Sequence, residues 1–136
     1  MGYQIKSELK DVGYQVRNQI GDHVILADEP VKAGGTDAAP NPVQYLLTAL
    51  NSCLSITAKS MARKHPQIGL KKFEITTTGT VKRFADKTSK VAEIKVHFEV
   101  ETDLPLADQQ HFVQSVIKYC TVHSSLDPAI EINFEY

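Results

Sequence analysis

The stretch "PNPVQYLLTALNSCLSITAKSMARKHP", Pro40 to Pro66, decides the fold. Asn41 is a good N-cap, Pro42 suits the first helical position, and Gln44 sits where its side chain can reach back to close a capping box. Leu46, Leu50, Cys53, Leu54, Thr57 and Met61 then recur at steps of three and four, the signature of a helix face. Leu47, Ala49, Ile56 and Ala58 carry the apolar surface well beyond one stripe. A helix apolar most of the way round belongs in the centre of a fold or at a subunit interface. Pro66 stops it, and Gly69 begins the exit. The helix is long enough to span a bilayer, but Gln44, Asn51, Lys59 and Arg63 exclude that role.

On the N-terminal side the sequence predicts strands. Tyr3–Leu9 alternates weakly. Tyr14–Ile20 and His23–Ala27 flank Gly21-Asp22, which reads as a two-residue hairpin turn. Residues 28–41, "DEPVKAGGTDAAPN", read as a loop in which Gly34-Gly35 marks a place where side chains would be in the way. On the C-terminal side, Leu70–Lys82 and Val91–Glu101 form a hairpin around a polar loop. Ala92, Ile94, Val96, Phe98 and Val100 occupy one face of the second strand, and Phe73, Ile75 and Val81 share a parity on the first. Pro105 opens a second helix with Phe112, Val113, Val116, Ile117 and Cys120 on its apolar face. "TVHSSLDP" reads as a turn, and Ile130, Ile132 and Phe134 alternate in a final strand. The order βββ, α, ββ, α, β gives an α+β fold with mainly antiparallel sheets, not a doubly wound parallel one. Residues 1–136 read as a single domain without internal repeats.

Composition narrows the function classes. The 136 residues are 42% hydrophobic and 23% charged, with a formal net charge of -1, so nothing in the balance favours nucleic acid or an anionic membrane. Trp is absent, and base-stacking platforms are not advertised. The opening "MGYQIKSELKD" lacks the apolar core of a signal peptide, so the expected compartment is the cytoplasm, where thiols stay reduced.

Only two cysteines are present, and two readings are open to each. Cys53 is either a small buried apolar residue or a reactive thiolate. It lies roughly three turns past the N-cap, at about 3.6 residues per turn, so the dipole of its own helix offers little help. A reactive Cys53 therefore calls for a cation from elsewhere. Cys120 falls at the end of the second helix, where partial negative charge disfavours a thiolate. If the two work as a pair, Cys53 is the better attacker and Cys120 the better resolver. Metal binding is not expected, because Cys120 and His123 supply only two nearby ligands. No nucleophile elbow supports a serine triad.

"GGTDAAPNPVQYLLTALNSCLSIT" resembles a signature of the OsmC/Ohr family: a Gly-Gly loop, a Pro-rich entry, then a Leu/Ala-rich helix bearing a cysteine. "YCTVHSSL" resembles the family's second landmark, with Thr121 where proline is usual. The resemblance covers nearly the whole chain. It implies an intertwined homodimer with two long central helices enclosed by sheets, and active sites at the subunit interface. It implies a thiol-dependent peroxidase acting on organic hydroperoxides. Cys53 would become a sulfenic acid, Cys120 would condense with it to a disulfide, and an external thiol, a dihydrolipoyl group in some members, would reduce that disulfide. No bound cofactor, nucleic acid or membrane enters this expectation. The family's peroxidases carry a glutamate near the start of the cysteine helix that orients an arginine beside the thiolate. Here Val43 and Gln44 hold the matching positions, leaving Gln44 as either the helix cap or a hydrogen-bond partner in the site. Arg17, the sole arginine before Cys53, is the thiolate stabiliser this chain offers, or else an exposed strand charge. The "LADEP" and "SITAKSMARKHP" stretches resemble a less characterised branch of the family, and the missing glutamate leaves a non-enzymatic redox-sensing or small-ligand-binding module as the alternative.

Overall fold

A computed structural model describes all residues, Met1 to Tyr136. The chain divides into two compact units, Met1–Leu46 and Leu47–Tyr136. It is α+β, with one three-stranded sheet in each unit.

The smaller unit holds β1 (Lys6–Leu9), β2 (Val16–Ile20) and β3 (His23–Ala27), an antiparallel meander in that order. The predicted strands are present but β1 and β2 start later than their patterns suggested. The loop after β3 is organised by Asp28, which is only 1% exposed. Its Oδ1 accepts the N–H groups of Tyr14 (3.2 Å) and Glu29 (2.8 Å). Its Oδ2 accepts the N–H groups of Thr36 and Ala38 (both 3.1 Å) and the Thr36 hydroxyl (2.5 Å). A buried carboxylate is tolerated only when so completely satisfied. The Thr36 hydroxyl leads these donors, which outweigh the cost of burial and hold the Asp28 carboxyl well below the usual carboxylate range. The loop can close this tightly because Gly35 has no side chain: a Cβ there would stand 2.0 Å from the Glu29 carbonyl oxygen. The first turn of α1 (Pro42–Lys64) also belongs to this unit. Tyr45 on that turn donates its hydroxyl to the Leu26 carbonyl.

The larger unit holds the rest of α1, the long hairpin of β4 (Lys72–Arg83) and β5 (Ser89–Glu101), then α2 (Leu106–Tyr119), α3 (Thr121–Ser125) and β6 (Glu131–Glu135). β4 and β5 are antiparallel, whereas β6 pairs with β5 in parallel. A parallel neighbour requires a crossover, and α2 and α3 supply it. On β5 the alternation reads as expected: Ile94, Val96 and Phe98 are buried, and Lys95, His97 and Glu99 are exposed. Between Thr80 and Val81 the pairing register shifts, because Thr80 faces Glu93 and Val81 faces Val91, so Ala92 of β5 is the extra residue of a bulge; Val81 is 51% exposed instead of beside Phe73 and Ile75.

The core gathers Leu50, Leu54 and Ala58 of α1, the inward face of β5, and Phe112, Val113 and Val116 of α2. Gly79 lets β4 approach α1, since a Cβ would lie 3.1 Å from Leu47 Cδ1, and Thr77 donates its hydroxyl to Asn51 Oδ1 at 2.6 Å. Within the chain only this one stripe of α1 is covered. Ala49 and Ile56 remain exposed, so α1 is not buried all round by its own chain. "TVHSSLDP" is also more than a turn: its first five residues are helical, because their packing overrides a composition of β-branched residues and serines with weak helical preference.

Leu54 is fully buried, so Leu54→Ala should cost about 2–5 kcal/mol in urea unfolding. Asp28 has a depressed folded-state pKa. Its stabilisation is present above its unfolded value of 3.8 and is lost as pH falls below it. Asp28→Asn should therefore lower the Tm at neutral pH and flatten the acid limb of the Tm–pH curve, as read by thermal melts from pH 7 to about pH 2.

Candidate functional site

Cys53 projects from α1 between Leu50 and Leu54, at the edge of the buried stripe, and is half-buried against the core. Cys120 is the hinge between two helices. It ends α2, its N–H donating to the Ile117 carbonyl, and it is the N-cap of α3, its sulfur accepting the His123 N–H at 3.4 Å. Cys120 is fully buried. Both cysteines are free thiols.

The two thiols are neighbours on the same core, and each bears on the other's proton affinity, as do N–H groups of the first turn of α3. For Cys53, burial raises the thiol's proton affinity. The Val122 N–H, the Cys120 thiol, the Thr121 N–H and the Thr57 hydroxyl act against it and prevail, so its pKa falls below the ordinary 9.0. For Cys120 the balance is reversed. Burial, together with the neighbouring Cys53, outweighs the His123 and Val122 N–H groups and pushes its pKa up to about 11. Cys53 gives up its proton more readily than an ordinary cysteine, and Cys120 less.

The groups bearing most on the Cys53 sulfur are uncharged, and three of the four belong to the segment Cys120–Val122. The C-terminal position of Cys120 on α2 is also only half of its setting, because the same residue opens α3. Main-chain donors leave no mark in residue type, so sequence reading could not find them. Their only trace is the serine-rich "TVHSS" itself, a run that can turn quickly after a helix.

The other two candidates lie in the smaller unit. Gln44 closes the capping box: its Oε1 accepts the Asn41 N–H at 2.8 Å, and Asn41 Oδ1 accepts the Gln44 N–H at 2.9 Å. Arg17 pairs in register with Glu8 across β1 and β2, and its guanidinium donates to Gln19 Oε1 at 2.9 Å. The cysteines come together with each other; Arg17 and Gln44 have local partners of their own.

No group of three or more His, Cys, Asp or Glu side chains gathers to hold a metal. No helix is long and apolar enough to cross a membrane.

A fold of two three-stranded sheets with a cysteine-bearing helix and a second cysteine at a helix junction has many solved counterparts. An OsmC-like protein from Mycoplasma pneumoniae superposes with a TM-score of 0.87 at 23% identity, over 99% of this chain and 95% of that one. An organic hydroperoxide resistance protein OsmC from Legionella pneumophila, also described as a predicted redox protein, gives 0.78 at 16% identity, over 99% and 96%. The organic hydroperoxide resistance protein OhrB of Bacillus subtilis gives 0.73 at 15% identity, over 99% and 97%. No curated protein matches the chain in sequence. The family model for OsmC-like proteins matches residues 35–135, and the chain belongs to that family.

Iodoacetamide should alkylate Cys53 of the folded protein with an inflection below pH 9.0, while Cys120 stays unlabelled until the chain is denatured. Mass spectrometry of peptides quenched across a pH series checks this. Preferential labelling of Cys120 would reverse the assignment.

Proposed function

We propose that this chain is a thiol-dependent peroxidase that reduces organic hydroperoxides, with Cys53 as the attacking residue and Cys120 as the resolving one. The observation that carries the reading is the asymmetry of two thiols packed on the same core: Cys53 gives up its proton more readily than an ordinary cysteine, and Cys120 less. Membership of the OsmC-like family and the hydroperoxide-resistance names of two structural relatives support the same chemistry.

The steps balance without a bound cofactor. The Cys53 thiolate attacks the distal oxygen of ROOH. The O–O bond breaks, RO⁻ leaves and takes a proton from water, and Cys53 becomes a sulfenic acid. Cys120 sulfur then attacks the Cys53 sulfur. The S–O bond breaks, the Cys120 proton joins the departing hydroxide as water, and a disulfide forms. An external dithiol, of the dihydrolipoyl kind, returns both sulfurs to thiols at the cost of its own oxidation.

This reading includes a homodimer in a reducing cytoplasm. The exposed Ala49 and Ile56 of α1 supply apolar surface for a second copy to cover. The uncharged setting of Cys53 favours one alternative, a redox-sensing module on the same scaffold that forms its disulfide once and does not turn over.

With cumene hydroperoxide and a dithiol reductant, wild-type protein should turn over. The rate should rise with pH and level off below 9.0, because the thiolate is the reacting form. Cys53→Ser should abolish turnover, and Cys120→Ser should stop at a trappable sulfenic acid. Stoichiometric disulfide formation without turnover would select the sensor, and wild-type consumption no faster than Cys53→Ser would sink the peroxidase.

A further inference from the structure

The sheet of the larger unit has a step in it. β6 ends at Glu135, whose neighbour is His97, whereas β5 runs on to Glu101. Residues 98–101 therefore keep β4 on one side and have no strand on the other. A bare strand edge calls for a cover. Gln109 of α2 supplies part of it: its Nε2 donates to the Val100 carbonyl at 3.2 Å, and its Oε1 accepts the Thr102 hydroxyl at 2.8 Å. Beside this brace a cavity of about 380 Å³ stays open. No residue of α1 lines it, so it is separate from the thiol-bearing helix and from the face that helix offers to a second copy.

The cavity opens at a strand edge and not on one face of the sheet, so β5 residues of both parities reach it. Phe98 of β5 and Val113 of α2 give it an apolar floor, closed to solvent at 5% and 2% exposure. Tyr136 makes a wall, its ring standing at 85° to Phe98 with centroids 6.0 Å apart. Phe98 is itself held by Phe73 at 5.7 Å and Phe134 at 6.2 Å, so the core fixes this aromatic corner. The opposite parity contributes Glu99 and Glu101, with Lys72 of β4 beside them. Lys72 is already committed: its Nζ lies 2.9 Å from Glu99 and 3.8 Å from Glu74. Glu101 makes no salt bridge. One lysine thus stands against two glutamates, and the lining carries a net negative charge. Aromatic faces are electronegative too and add to a carboxylate in attracting a cation.

We infer that this cavity binds a small amphipathic amine, its ammonium group between Glu101 and the Tyr136 ring and its apolar body on Phe98 and Val113. The volume is at the small end for ligand cavities, which suits one ring or a branched chain and not a lipid tail. The inference does not depend on the peroxidase reading, since no cysteine lines the cavity.

Two-dimensional amide NMR of the whole chain tests it. The probes are phenethylamine, phenethyl alcohol and phenylacetate, near neutral pH, where the amine is charged. Titration should shift the Gln109 side-chain amide and the Val100 and Tyr136 peptides. The amine should bind about tenfold more tightly than the alcohol, the scale of one charge-assisted contact, and phenylacetate more weakly than either. Glu101→Gln should erase the advantage of the amine over the alcohol. Glu131→Gln, the same change at the exposed start of β6, should leave that advantage as in wild type. Tyr136→Ala should weaken amine and alcohol alike. Thermal melts confirm that the three variants fold. Equal affinity for amine and alcohol, or equal loss in the two glutamine variants, overturns the assignment of the ammonium group. Unchanged binding in Tyr136→Ala overturns the aromatic corner. Shifts centred elsewhere, or none that saturate with any probe, overturn the cavity as a site. Amine affinity that falls as protein concentration rises gives the cavity to a second copy of the chain and overturns it as well.

Discussion

The larger unit depends on one constraint: Leu50, Leu54 and Ala58 must all face the β5 surface of Ile94, Val96 and Phe98 at once. Three residues at steps of four fix both the rotation and the height of α1 over the sheet. Burying Leu54 completely leaves Cys53, one residue earlier, nowhere to point but the edge of the same core. On that edge it meets the junction of α2 and α3. A rotation of α1 large enough to free the thiol would also expose two leucines, at about 1.5–3 kcal/mol each. The position of the thiol is therefore as secure as the core itself.

Cys120 is held by a second, independent device. Phe112, Val113 and Val116 anchor α2 in the core, and the chain must then reverse to bring β6 beside β5 in parallel. The reversal is made at Cys120, where one helix ends and another begins. From the other side His123 stacks edge-on to Phe134 of β6, with ring centroids 5.3 Å apart. The peptide groups of residues 121–123 are thus fixed by α2 before them and β6 after them. A short helix that would not form alone is specified by its neighbours.

How much of this was legible in the sequence follows from where each signal resides. The α1 cap was fully legible, because Asn41 and Gln44 act on each other within one turn and the pattern is local. The β5 alternation was legible for the same reason: side-chain parity is written into consecutive residues. Val81 was misplaced because a bulge inserts a parity shift that no residue type announces. α3 was missed because its helicity comes from packing on both sides, not from propensity. Cys53 and Cys120 were legible as the two candidate thiols. What surrounds Cys53 was not, since two of its four leading donors are peptide N–H groups that any sequence would supply.

That last point changes the weight of the missing carboxylate. A side-chain activator has to be held in place, usually by a partner of opposite charge, and losing the partner loosens the activator. A peptide N–H needs no such partner. Its direction is set by the backbone, and it loses no rotamer entropy on donating. Val43 and Gln44 stand where the family's peroxidases have glutamate, and Gln44 is committed to the helix cap. Among the groups that lower the Cys53 thiol's proton affinity, the Val122 and Thr121 peptides need no such partner. The same donors come at a cost in range. A full positive charge attracts an approaching anion over several ångströms, whereas peptide dipoles act almost only in contact.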